Sequence, residues 1–252
     1  MKMTSALLAL AALLVADWAV AAGAVVTSVT GTASVQTGTA APRTLRQGDD
    51  VSQGDTVTTG ARSTAVLRFE DGQVAALSPN SRLTVTTYHY NAQARSGNVL
   101  LSLISGGMRA ITGLIGRNDP ERVSYRAARA TIGVRGTDTT VAIGDGAIVI
   151  TVSDGTVEVT FEGRTFSITA GQGTVLRPNT PAVVRAAEEV VRQLPPGIAE
   201  AVGGLQGIID AINQAAGGPP GGLPPGPPPG LPPGPPSFTP PGGGGGGAPS
   251  KS

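Results

Sequence analysis

One histidine, His89, and no cysteine among 252 residues leave carboxylates and arginines as the side chains able to do chemistry. Without Cys there is no thiol nucleophile, disulfide framework, zinc finger or iron–sulfur ligation, and a lone His excludes any site that needs two imidazoles. The carboxylates that stand close together fall in two groups, Asp49, Asp50 and Asp55, and then Glu70-Asp71 at a hairpin tip. General acid–base work needs a concave, partly desolvated pair, whereas turns hold acids in solvent, so both groups read as turn-forming, solvating acids. Oxygen ligands at Asp49, Asp50 and Asp55 would suit calcium, but their spacing matches no ligand loop. His89, between Tyr88 and Tyr90, has no strand–turn–helix nucleophile elbow to serve. Gly106-Gly107 and Gly113-x-x-Gly116 lack the lysine and the following helix of a phosphate loop. No catalytic residue, cofactor site or metal site is expected.

The arginines are less even. Arg109, Arg117, Arg122, Arg126, Arg129 and Arg135 are opposed in their span only by Asp119 and Glu121, with Tyr125 between. Such a cluster can bind an anionic polymer, a carboxylate or an acidic protein face. Alternation within strands would divide it, and Arg122, Arg126 and Arg129 are the candidate partner-binding residues expected on one face; solvated edge-strand charge is the competing reading. Eighteen basic against 17 acidic residues give no overall drive toward nucleic acid, and no such partner is expected.

The elements that must carry these residues are strands. From about residue 23 to 177 short β-branched runs are broken by Gly, Asp and Asn, with almost no helical period. Thr64 to Phe69 and Gln73 to Ser78 flank Asp71-Gly72 as a hairpin. The same device is expected at Asp145-Gly146 and Asp154-Gly155, and a related turn at Glu162-Gly163, which together give an antiparallel meander. Residues 147–152, apolar on both faces apart from Thr151, should form a central strand. After Pro178, Thr180 and Pro181 open a helical stripe through Val183, Val184, Ala187, Val190, Val191 and Leu194; a second stripe, from Ile198 to Ile212, is interrupted by three glycines. The expected fold class is therefore all-β, an antiparallel sandwich or solenoid-like domain followed by short helices and a disordered Pro/Gly tail.

The ends carry their own signals. Lys2, the 11-residue apolar run from Ala6 to Ala16 and Ala19-Val20-Ala21 read as a secretory signal over 1–21, cleaved near Ala22. At about 1.5 Å per residue that run cannot cross a hydrocarbon layer of about 30 Å, so a periplasmic or secreted protein that does not span the membrane after cleavage is expected. Residues 217–252 hold 14 Pro and 13 Gly, with Gly recurring every fourth residue from Gly222 to Gly234. Collagen needs Gly at every third position, which leaves a polyproline-II-like spacer. The organisation expected is signal 1–21, β-domain 22–178, helical segment 179–216 and tail 217–252.

Several stretches together resemble one family. They are Gly54-Asp-Thr-Val-Thr-Thr-Gly60, Ser63 through Asp71-Gly72, and Leu77-Ser-Pro-Asn-Ser81, followed by Gly106-Gly-Met-Arg109, Thr112-Gly113 and Ala130 through Thr137. In that order, over roughly 24–145, they resemble the periplasmic domain of the FecR (ferric citrate regulator) family. The resemblance implies an all-β extracytoplasmic domain; regulatory members sense an outer-membrane receptor and relay its state through a membrane helix to a cytoplasmic anti-sigma segment. This sequence shows neither a spanning helix after the signal nor that segment, so a stand-alone form unable to transduce alone is expected. Three functions compete: a non-enzymatic module binding an envelope protein, polymer or ligand; a structural or surface-display protein whose tail is a spacer; and a carboxylate-dependent hydrolase, which would need two facing acids.

Overall fold

The computed structural model describes residues 23–195 together with residues 198, 199, 202, 205 and 208. The export signal expected over 1–21 and the tail expected over 217–252 lie outside the described residues. Fifteen strands follow one another: β1 (Ala24–Thr30), β2 (Ala33–Thr37), β3 (Arg43–Thr44), β4 (Asp50–Val51), β5 (Asp55–Thr59), β6 (Thr64–Phe69), β7 (Val74–Leu77), β8 (Arg82–Asn91), β9 (Ser96–Ile111), β10 (Val123–Ala127), β11 (Ala130–Gly144), β12 (Ala147–Phe161), β13 (Arg164–Thr169), β14 (Gln172–Leu176) and β15 (Val184–Ala186). Short helices α1 (Leu114–Asn118) and α2 (Ala187–Arg192) accompany them, and the described residues 198, 199, 202, 205 and 208 are helical as well. The protein is all-β, as its alternating sequence predicts.

The strands hydrogen-bond into one continuous sheet that folds over into two layers. In the first the order is β3-β2-β5-β8-β9-β10-β11-β12-β13, and in the second β4-β1-β6-β7-β9-β11-β12-β14-β15. Three strands belong to both. β9 pairs β8 through residues 96–105 and β7 through 108–111, and β11 and β12 likewise change partners halfway. Among the described strands every pairing is antiparallel except β9 with β10. Inward residues of the two layers, such as Val57, Leu83, Leu101 and Tyr125 from one and Val26, Leu67, Met108 and Ile150 from the other, form a single buried cluster.

Glycine makes the bends. Gly106 in β9, Gly136 in β11 and Gly155 in β12 all take positive φ, where an L side chain is strained. Bending a strand strands backbone groups, and buried hydroxyls satisfy them: Thr59 Oγ1 accepts from the Ser81 N–H at 2.9 Å and Ser81 Oγ accepts from the Gly107 N–H at 2.9 Å.

Hairpins form at Asp71-Gly72, Asp145-Gly146 and Glu162-Gly163. Asp154-Gly155 differs from expectation, because β12 runs straight through it and the pair marks a corner between layers instead of a reversal. Residues 147–152 are buried throughout and sit between β11 and β14, the central strand that their apolar run predicts. The helix expected from Pro181 begins only at Ala187. Val184 to Ala186 pair with β14, whose open edge offers these β-branched and neighbouring residues a ladder that a helix would forgo. Beyond it Ile198, Val202 and Leu205, buried positions of the second apolar stripe, lie on the outer face of the second layer. Leu205 meets Val66, Val74 and Ala76, while Ile198 and Val202 meet Ala142 and Val149. That layer is thus covered on both faces.

Candidate functional site

Among the described residues nothing comparable covers the outer face of the first layer. Along β10 the burial alternates, so that Val123, Tyr125 and Ala127 enter the core while Ser124 and Arg126 face outward. Register sets their neighbours: Arg126 lies between Ser102 of β9 and Thr131 of β11, and the row continues through Thr84 and Thr56 on one side and Thr160 and Thr165 on the other. Hydroxyls cross-bond within this field, Thr56 to Thr84 at 2.9 Å, Thr86 to Ser102 at 2.8 Å and Thr160 to Thr165 at 3.0 Å. The face is rich in short polar side chains, which lose little entropy when a partner settles on them, and it also carries Leu100 and the exposed Ile104. Among the described residues the Arg126 side chain makes no ion pair or hydrogen bond.

The other arginines of the cluster are placed differently. Arg122, at the end of a 3-10 turn, donates to Asp119 at 3.1 Å and to Asn98 Oδ1 at 3.2 Å, and so lies over the same face as Arg126. Arg129 sits in the β10–β11 turn, 3.7 Å from Glu162 of the neighbouring hairpin, at the end of the layer and apart from the other two. Arg109 is on the other layer altogether. It is buried and grips Asp138 through two bonds, Nε to Oδ1 at 2.8 Å and Nη2 to Oδ2 at 2.6 Å. Asp138 stands at the register shift of β11, and the sequence offered no sign of the pairing because it spans 29 residues.

The carboxylates do not converge. Asp49 is held below the ordinary carboxylate range by the Arg46 backbone N–H and by Arg43, at 2.9 Å each. Asp55 is buried and accepts from Thr37 Oγ1 at 2.5 Å and from the Ser52 N–H at 2.9 Å. Asp50 is exposed on β4. No group of three or more acidic or imidazole side chains among the described residues could hold a metal ion. His89 is exposed on β8 opposite Asn98.

Asp71 corrects the expectation of a solvated hairpin tip, being only 1% exposed. Its carboxylate accepts from the Gln73 N–H at 3.2 Å, the Tyr88 hydroxyl at 3.3 Å and the Ile115 N–H at 3.4 Å, and its backbone carbonyl accepts from Leu114 at 2.8 Å. It joins the hairpin to α1 and β8. Burial raises its pKa, against the opposing pull of these donors. Burial, with Asp71 nearby, pushes the Tyr88 phenol up too. Close by in sequence, Gln73 is fully buried, and among the described residues neither polar atom of its side chain has a hydrogen-bond partner.

Residues 55–158 match the family model described as FecR protein. That stretch is similar to the FecR family. The match begins later and ends later than the 24–145 that the motifs outline, since it takes in the corner at Gly155 and the second half of β12. The motif residues Gly60, Ser63, Ser78, Ser81, Gly106 and Gly136 lie where the chain passes between layers, so the signature marks corners. The fold is similar to two crystal structures of candidate anti-sigma factors from Parabacteroides distasonis. One has 14% identity and a TM-score of 0.42 over 52% of this chain and 59% of that one, the other 14% and 0.46 over 64% and 92%. The chain thus spans 59% of the length of the first. No curated protein matches the chain.

Proposed function

We propose that the chain is an exported, non-enzymatic FecR-domain module that docks an envelope protein through the outer face of its first layer. The observation that supports this is the contrast between layers: one outer face is covered by the segment that follows β15, while among the described residues the other is left open and holds the Arg126 side chain without an ion pair, beside Ser102 and Thr131. A planar guanidinium so placed can take a carboxylate bidentately with little desolvation of neighbours, so the partner presents an acidic surface. Arg122 adds charge at the rim, already partly engaged by Asp119.

The signal read from Lys2 and the apolar run Ala6 to Ala16 supports a place outside the cytoplasm, and no helix among the described residues is long and apolar enough to cross a membrane. Photo-crosslinking in intact envelopes tests the reading. A photoreactive residue at Ser124, between the two arginines, should trap a defined protein, and Arg126→Glu should abolish the adduct without changing the thermal transition. An adduct of equal yield from Arg126→Glu and Arg122→Glu would reject the face as a docking surface.

A further inference from the structure

Past β12 the two layers end unequally. The second adds β14 and then β15, whereas the first adds β13 alone. A groove of about 560 Å³ occupies the place beside β13, floored by Phe161, Phe166, Pro181, Ala182 and Val184 and flanked by Arg164.

Backbone pairing says what fits there. The two-residue turn Glu162-Gly163 makes Phe161 and Arg164 a hydrogen-bonded pair, and antiparallel pairs alternate, so Thr165 and Ser167 aim their N–H and C=O groups away from β12. Among the described residues nothing accepts from those two N–H groups, while the next in the series, Thr169, is taken by Gln172 Oε1 at 3.1 Å. Natural edges are usually guarded by Lys, Pro or a bulge, and β13 has none of these.

We propose that β13 is a strand-addition site for an extended segment of a partner protein, about five residues long, with apolar side chains at alternate positions and a carboxylate beside Arg164. Phe166 and Ile168 turn toward the interior while Thr165 and Ser167 face solvent, so a strand laid alongside drops every second side chain into the groove. The Arg164 side chain has no ion pair or hydrogen bond among the described residues, and the groove's acid, Glu162, is already engaged by Arg129 and the Asn179 N–H. The chain's own tail is unsuited, because 14 prolines in residues 217–252 remove the N–H groups a ladder requires. The site is separate from the Arg126 face and stands or falls without it.

Random nonapeptides displayed on phage and selected on the full chain test the assignment. The selection should enrich proline-free sequences with apolar residues at i, i+2 and i+4 and an acid near one end. A fluorescein-labelled enriched peptide should bind with an affinity that Ser167→Pro and Arg164→Glu each weaken by about tenfold or more, and that Arg126→Glu leaves unchanged. Ser167→Pro removes an outward N–H and no internal bond. Hydrogen exchange of the wild-type chain supplies a readout without a variant, slowed exchange at Thr165 and Ser167 when the peptide binds. Failure of the selection, enrichment of helical or proline-rich peptides, unchanged exchange at those amides, or a dimer of the chain that Ser167→Pro dissolves would overturn it.

Discussion

At Asp71 one side chain carries most of the connection between a hairpin, a helix and a neighbouring strand. Its pKa is raised above the ordinary 3.8, so the folded state holds the proton more tightly than the unfolded one. Its stabilising contribution is therefore complete below the unfolded pKa and fades as pH rises through the folded value. Asp71→Asn should lose that slope: the wild type's Tm, measured against the variant's, is expected to fall as pH climbs from below 3.8 toward neutrality, and parallel curves would refute it. Asp71→Ala leaves the Tyr88 hydroxyl and two N–H groups unmet, for a cost of about 3 kcal/mol in urea unfolding. Arg109 and Asp138 behave as a pair. Removing Asp138 alone should cost about 3 kcal/mol, and replacing both by apolar residues distinctly less, a difference that a double-mutant cycle reads directly. Little of this was legible beforehand. Asp71 reads as a turn acid because Asp-Gly is the commonest hairpin signal, and only the packing of α1 and Tyr88 over the turn, 17 to 44 residues away in sequence, takes it out of water.

Strands and corners were legible to different degrees. Period-two alternation located the hairpins, since a half-buried strand imposes it on the sequence. Corners leave no such trace. Asp145-Gly146 and Asp154-Gly155 are the same dipeptide, yet the first reverses the chain and the second bends it. Their glycines show the difference: a Cβ at Gly146 would meet open space, whereas at Gly155 it would stand 2.2 Å from the Gly136 carbonyl oxygen. Gly146→Ala should therefore cost about 1 kcal/mol from its positive φ alone, and Gly155→Ala more than about 3 kcal/mol, with circular-dichroism melts separating the two. Equal melts would mean that the corner yields easily. The face bearing Arg122 and Arg126 follows from alternation along β10, but the departure of Arg129 does not, because a turn residue escapes the strand's period.

For the molecule as a whole the asymmetry of its two outer faces decides the most. The second layer is apolar on its outer face because Leu205, Ile198 and Val202 come back to cover it. Leu205→Ala, at a fully buried position, should cost about 2–4 kcal/mol and expose enough of Val66 and Ala76 to bind a hydrophobic dye. A change within about 0.5 kcal/mol would show that the segment merely rests there. The first layer's outward residues are mostly polar, among them Ser102, Arg126, Thr131 and Thr160. The three shared strands have a mechanical consequence. In a sandwich of separate sheets a pulling force can slide one layer over the other by breaking only dispersion contacts. Here β9, β11 and β12 are covalent members of both layers, so a force that separates the layers must first unzip ladder hydrogen bonds at three places at once. A partner held on either side would be tugging on a domain that transmits tension without shearing.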